Sequence, residues 1–337
     1  MIGMPAKVAP HNWLKRHVRD PGALSLTVTV SLFVALSLAG GLRYEGFLAP
    51  QVFLNLLIDN AFLLVVATGM TFVILTGGID LSVGAVVAFT TVLLATLVER
   101  HGWHPLAAIP LALGMGTAFG AAMGLLIHRY RLAPFVVTLA GMFLARGAAM
   151  LISADSIGMD NSFQVGLAGL RIPLGGASLS AGAVTALVVV ALATVVARST
   201  QFGRTVYAIG GSEQSAMLMG LPVASTIVGV YALSGFCAAL AGMLYTVYML
   251  SGYSLHATGL ELDAIAAVVI GGALLTGGSG HVLGTLCGVL VLGLIQTLIA
   301  FDGTLSSWWT RIVIGVLLLL FCLLQRLMLR RKQGRLA

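Results

Sequence analysis

The sequence predicts an all-α fold: a polytopic transmembrane helical bundle of about ten spans with both termini cytoplasmic. Three observations predict it. Of the 337 residues, 59% are hydrophobic and 9% charged, with a mean hydropathy of +1.04, whereas soluble domains run at about 25% charged. The apolar residues fall into runs approaching or exceeding the roughly 20 residues a membrane helix needs. The Lys and Arg residues gather in alternate connecting segments, as they do in cytoplasmic loops. A water-soluble fold is excluded by this composition, and the 42 glycines suit close helix–helix approach, since lipid gives helices no hydrophobic reason to associate.

The elements follow in order. Residues 1–23 form a cytoplasmic N-terminal segment carrying Lys15, Arg16 and Arg19. The first apolar run starts near Leu24 without a clean small-residue cleavage site, and reads as a retained helix rather than a signal peptide. Spans are predicted near 24–42, 52–75, 82–98, 105–127, 134–153, 180–197, 223–250, 261–276, 282–301 and 308–326, inside a transmembrane domain of residues 24–327. Trp308 and Trp309 open the last run, where an aromatic belt sits. Residues 328–337 form a basic cytoplasmic tail with Arg330, Arg331, Lys332 and Arg335. Ten spans put Arg43, Arg100, Arg171 and Arg311 outside and Arg146 within a span, leaving 13 of the 18 basic residues inside. The net charge of +7 is therefore topology and not a nucleic-acid surface. Cys237, Cys287 and Cys322 lie in apolar runs without metal-ligand spacing and read as small buried hydrophobes; no metal or cofactor is expected. No Walker sequence is present, so if the protein moves anything uphill, the energy comes from an ion gradient or a partner.

Two connecting loops exceed a turn: the Gly-rich external loop 154–179 and the cytoplasmic loop 198–222. In the latter, Ser212 is an N-cap, Ser215 and Ala216 form a first turn, Gly220 is a stop and Pro222 lies just beyond. The short helix shows Ala216, Met217, Leu218 and Met219 at the cytoplasmic surface, as an adaptable partner-binding patch or as a plain amphipathic connector.

The charged residues inside apolar runs are few. Asp80 sits in Thr76-Gly77-Gly78-Ile79-Asp80-Leu81-Ser82-Val83-Gly84, where a carboxylate costs roughly 2.5–3.5 kcal/mol on insertion scales. Two roles are open to it: lining a polar pathway, or capping the helix that starts near Ser82. Both need Gly77 and Gly78 to bend. Arg146 requires a partner, and Asp80 and Asp59 are the candidate anions for an intramembrane ion pair. Glu261 and Asp263 read as dipole partners at a helix start. Leu275-Thr276-Gly277-Gly278 repeats Leu75-Thr76-Gly77-Gly78, and matched helix breaks are a pointer to a transporter's site; the second copy has Gly280 where the first has Asp80.

With these residues on the page, the chain resembles the permeases of ribose, xylose and related monosaccharide ABC importers. The resemblance rests on Thr76 to Gly84, on Pro134-Phe135-Val136-Val137-Thr138-Leu139-Ala140-Gly141-Met142 and on Glu261-Leu262-Asp263-Ala264-Ile265-Ala266-Ala267-Val268-Val269-Ile270-Gly271-Gly272. It covers about residues 45–327. Asp59-Asn60-Ala61-Phe62, Tyr207-Ala208-Ile209-Gly210-Gly211 and Phe301-Asp302-Gly303-Thr304-Leu305-Ser306-Ser307-Trp308-Trp309 look most like one permease of a galactofuranose importer. One departure is Ser212, where that family usually has Asn. The resemblance implies that Gly210, Gly211, Ser212, Glu213, Ala216, Met219 and Gly220 couple to a cytoplasmic ABC ATPase. It also implies a second permease subunit, identical or homologous, a periplasmic sugar-binding protein, membrane lipid around the spans and an inner-membrane location, with no enzymatic activity in this chain. Asp59, Asn60, Gly77, Gly78, Asp80, Ser82, Gly277 and Gly278 are the expected path or hinge residues. Branched-chain amino acid import is the related alternative. An ion-coupled secondary transporter would want more mid-membrane carboxylates than Asp59, Asp80, Glu261 and Asp263. An intramembrane enzyme would want a Gly-x-Ser-x-Gly or His-Glu-x-x-His pattern, which the sequence lacks.

Overall fold

The computed structural model describes residues 21–306 and 308–333, with side chains over 26–306 and 308–327. Residues 1–20 of the N-terminal segment and 334–337 of the basic tail lie outside the described residues. The chain runs α1 (Pro21–Arg43), α2 (Pro50–Asp59), α3 (Ala61–Leu75), α4 (Val83–Ala95, continued by a π-helical turn Thr96–Arg100), α5 (Pro105–Tyr130) and α6 (Pro134–Ile152). Then come α7 (Ser162–Gly169), α8 (Ala181–Ser199), α9 (Gln201–Gly211), α10 (Glu213–Leu218), α11 (Val223–Met249), α12 (Leu260–Ile270), α13 (Val282–Asp302) and α14 (Trp308–Gln333). Proline opens α2, α5 and α6 at a position whose N–H would be unpaired in any helix.

Among the described residues, eight helices are long and apolar enough to cross a membrane, or nine if the bent pair α2–α3 counts as one span. The chain is an all-α multi-pass membrane protein. Of α3 only Phe62 escapes full burial, as expected of a helix that is apolar all round. It packs with α4 and α5 around α11. Gly116, Gly120 and Gly124, one turn apart on α5, lie against the backbone of α11 at Gly235, Tyr231 and Val228, a small-residue seam that replaces the missing hydrophobic drive.

Three expectations change. The run 52–75 is two helices, bent by 58° at Asn60, whose side chain donates back to Leu56 O at 3.0 Å. The run 261–276 does not form a span-length helix: α12 stops after 11 residues, because Gly272 takes φ +97° and closes a left-handed C-cap. In that cap Gly272 N–H donates to Val269 O (3.0 Å) and Ala273 N–H to Val268 O (3.1 Å). The loop 154–179 is ordered and carries short strands beside α7. β1 (Ile157–Gly158) pairs with β4 (Ser251–Gly252), and β2 (Arg171–Leu174) with β3 (Ala177–Ser180) across the Gly175–Gly176 turn, where both residues have positive φ. Gln51 of α2 clamps this hairpin through both backbone groups of Ser178, at 3.1 and 2.8 Å.

A glycine junction as the candidate functional site

α3 ends in a left-handed C-cap at Gly77 (φ +82°), with Gly77 N–H donating to Ile74 O (2.9 Å) and Gly78 N–H to Val73 O (3.1 Å). Leu75 O then accepts from Gly278 N–H at 2.9 Å, so the two Leu-Thr-Gly-Gly repeats touch. The second repeat is not a copy of the first in shape. It follows the end of α12 in a tight loop closed by Leu274 N–H to Ser279 O (2.9 Å), with Gly277 at φ +84° and Gly278 at φ +73°. A Cβ on Gly277 would lie 2.8 Å from Gly77 N and 3.1 Å from Gly77 Cα.

The last turn of α9 completes the junction. A Cβ on Gly210 would overlap Leu75 O and Gly278 N, and one on Gly278 would sit 2.9 Å from Gly211 N. Tyr207 Oη, one turn earlier on α9, donates to Gly280 O at 2.9 Å. Backbone therefore meets backbone at three places, which only glycine permits. Gly77, Gly78, Gly277, Gly278, Gly210 and Gly211 are brought together.

Directly beyond α9, Ser212 Oγ accepts from Ser215 N–H at 3.2 Å and caps α10. Gly220 (φ +72°) ends it, with Gly220 N–H to Met217 O (3.0 Å) and Leu221 N–H to Ala216 O (3.1 Å). Leu218 is 90% exposed and Met217 and Met219 are more than half exposed. Ala216 is fully buried and anchors α10 inward, not outward as the sequence reading has it. The α9 helix itself went unpredicted; Thr200, whose Oγ1 accepts from Gly203 N–H at 3.1 Å, and the buried Val206 and Ile209 are the signal for it.

Asp80 is completely buried. Its Oδ1 accepts from Ser82 N–H (2.9 Å) and Ser82 Oγ (2.6 Å), and its Oδ2 from Ser234 Oγ of α11 (2.7 Å). The carboxylate thus ties the start of α4 to the bundle's centre, and its oxygens are occupied by protein donors. Asp59 and Asn60 lie at the other end of α3, about 22 Å away at 1.5 Å per residue. There Asp59 Oδ1 accepts from Tyr248 Oη at 3.2 Å. The expected path residues therefore split between two ends of one helix.

The expected ion pair of Arg146 with Asp80 or Asp59 gives way to different partners. Arg146 Nη1 donates to Ser254 O (2.7 Å) and His256 O (2.8 Å). These carbonyls are available because residues 253–259 are not helical. That segment descends along α4: Gly252 packs on Thr91 and Ala95, and Ala257 O on Gly84. Irregular backbone at membrane depth needs such protein partners. α12 then begins with Glu261 and Asp263 in its first turn, and Glu261 Oε2 lies against Gly84.

Helices broken by glycine, a short capped loop helix and sparse charge within a multi-pass bundle suit a transporter's membrane subunit. Residues 52–322 match the family described as branched-chain amino acid transport system / permease component. Three relatives narrow this further. The chain is 52% identical over 305 residues to the inner membrane ABC transporter permease protein YjfF of Escherichia coli K12, covering 90% of this chain and 92% of that one. It is 41% identical to the fructose import permease protein FruG of Bifidobacterium longum (91% and 92% covered) and 38% identical to the ribose import permease protein RbsC of Bacillus subtilis (88% and 91%). No solved structure matches. The chain belongs to this permease family, in its ribose and monosaccharide ABC importer branch: a sugar-transporting permease, which is a transport component and not an enzyme.

Proposed function

We propose that the chain is the membrane-spanning subunit of an ATP-driven importer that carries a monosaccharide across the inner membrane by alternating access, and that galactofuranose is the sugar. The glycine junction is the observation that carries the mechanism, because the segment that would meet an ATPase is packed on two helix breaks at once. The galactofuranose choice is supported by the resemblance in Asp59 to Phe62, Tyr207 to Gly211 and Phe301 to Trp309. A separate ABC ATPase docks on the exposed residues 217–219 of α10, a second permease, identical or homologous, completes the pathway, and a periplasmic sugar-binding protein delivers the sugar. Both termini and the α10 end lie in the cytoplasm. Residues 251–270 supply the tenth crossing, its outer part extended and its inner part α12.

In this mechanism ATP binding closes the ATPase pair and pulls α10. Because Ala216 is buried and Gly210 has no clearance, α9 moves as one body with α10 and pushes the 274–280 loop. The first break, pinned by Asp80 to α11, stays in place. α12 therefore tilts against α3, and the unwound segment held by Arg146 transmits the tilt to the outer side.

The test is uptake of radiolabelled sugars into proteoliposomes holding the permease, its ATPase and its binding protein. ATP-dependent galactofuranose accumulation that persists under an ionophore is the expected result, with leucine failing to compete. Accumulation of leucine instead would transfer the chain to the amino acid substrates in its family's description. Flux that collapses with the ion gradient would end the ATP-driven reading.

A further inference from the structure

Beneath the glycine junction, between α10 and the turn joining α5 to α6, lies a cavity of about 860 Å³. Its lining is chemically divided. Arg129 and Arg131 stand on one side, with His128 beside them, and Glu213 and Gln214 of α10 stand on the other. Arg131 occupies the left-handed C-cap of α5 at φ +51°, a position that ordinarily falls to Gly or Asn. A guanidinium is placed there despite its backbone cost.

A second observation points inward. Tyr231, only 1% exposed, borders the cavity beside Gly78, and its hydroxyl has no hydrogen-bond partner among the described residues. That hydroxyl lies against Gly78 with no accessible surface, so Tyr231 walls off the inner end of the cavity. Guanidinium forks match phosphate oxygens. A carboxylate and an amide match hydroxyl groups. The carboxylate of Glu213 also disfavours a bare anion, which sets a hydroxyl-bearing phosphate ester apart from inorganic phosphate.

We propose that this cavity binds a phosphorylated polyol, with its phosphate on Arg129 and Arg131 and its hydroxyls on Glu213 and Gln214. A ligand there fills the space between α10 and the Gly77 break and holds α9 against the junction, so occupancy slows the transport cycle. The proposal rests on the importer reading only for the cytoplasmic placement of this end and for the effect on transport. Two sources share the chemistry: a free sugar phosphate, formed by phosphorylation of an imported sugar, and the polyol phosphate headgroup of a membrane lipid.

Binding is measured on the purified full chain in neutral detergent by titration calorimetry, with glucose 6-phosphate, glucose and inorganic phosphate as probes. In parallel, thermal stability is measured in nanodiscs of phosphatidylcholine with and without phosphatidylglycerol. Glucose 6-phosphate is expected to bind roughly tenfold or more tightly than either fragment, and the pair Arg129→Gln with Arg131→Gln to weaken it by about tenfold or more, the scale of a charge-assisted contact. If the lipid is the source, phosphatidylglycerol stabilises the wild type and not the Arg pair variant, and glucose 6-phosphate does not bind. No response to either probe overturns the proposal, as does equal response of wild type and Arg pair variant, which marks an adventitious ion only. Neither readout involves ATPase or uptake, so this failure is distinct from a failure of the importer reading.

Discussion

The two Leu-Thr-Gly-Gly breaks share four residues and meet in space, yet they are held by different things. The first closes the end of α3 and is followed by Asp80, whose two oxygens fasten the start of α4 to Ser82 and to Ser234 at the bundle's centre. The second has Gly280 where Asp80 would be; Tyr207 Oη of α9 donates to Gly280 O, and the buried Gln325 of α14 donates to Val269 O and Ala273 O where α12 ends. One break is tied to α11 through a buried carboxylate, and the other to α9 through Tyr207 and to α14 through Gln325. We propose that the repeat marks two mechanical parts, with Asp80 fixing the first of them.

The largest effect is expected where both breaks are touched together. Gly210→Val puts side-chain atoms where Leu75 O and Gly278 N already stand, and backbone cannot rotate away as a side chain can. Overpacking of this kind costs about 1–3 kcal/mol or more, and uptake should fall below detection. Gly114→Ala on α5, which has open space around it, is the control and should leave uptake intact. Full uptake by the Gly210 variant would mean the junction opens during the cycle.

Next comes the anchor. Asp80→Ala strands a backbone N–H and two hydroxyls in a fully buried site, at roughly 1–3 kcal/mol per unsatisfied group. The prediction is a sharp loss of assembled protein and a lower melting temperature in detergent, with Asp80→Asn less severe. A stable, assembled Asp80→Asn protein without uptake would instead put this carboxylate in the sugar's path and dissolve the contrast between the breaks.

The lever should be cheaper to damage and more telling. Tyr207→Phe removes one hydrogen bond, about 1 kcal/mol, so stability should barely change while sugar moved per ATP hydrolysed falls severalfold. Unchanged coupling would show that the second break follows something other than α9. Smallest is Ser212→Ala, which removes the α10 cap at about 1 kcal/mol and should weaken ATPase affinity modestly in a pull-down titration.

Much of this was readable in the chain. Apolar runs located most spans, and Ser212 and Gly220 marked both ends of α10, because cap chemistry is local and glycine at positive φ has few substitutes. The 261–276 run misled because hydropathy continues through Gly271 and Gly272 into Ala273 and Leu274, while the helix stops at a cap that a hydropathy average cannot register. Arg146 misled for a different reason. Its partners are the Ser254 and His256 carbonyls, and a backbone acceptor has no letter in the sequence, which leaves the intramembrane acids Asp80 and Asp59 as the visible candidates. The repeat at 275–278 was visible, but its contact with Gly77 and Gly210 depends on how α3, α9 and α12 pack, which no local pattern encodes.

The anchored and driven breaks are separated most directly by distances between spin labels in the assembled transporter, on a background with Cys237, Cys287 and Cys322 replaced. One label sits at the exposed Leu125 of α5 as reference, and the second at Thr76 or at Thr276. ATP binding should shift the Leu125–Thr276 distance beyond its distribution width and leave Leu125–Thr76 unchanged. Equal shifts at both positions, or a shift at Thr76 alone, would contradict the division of labour between the two breaks.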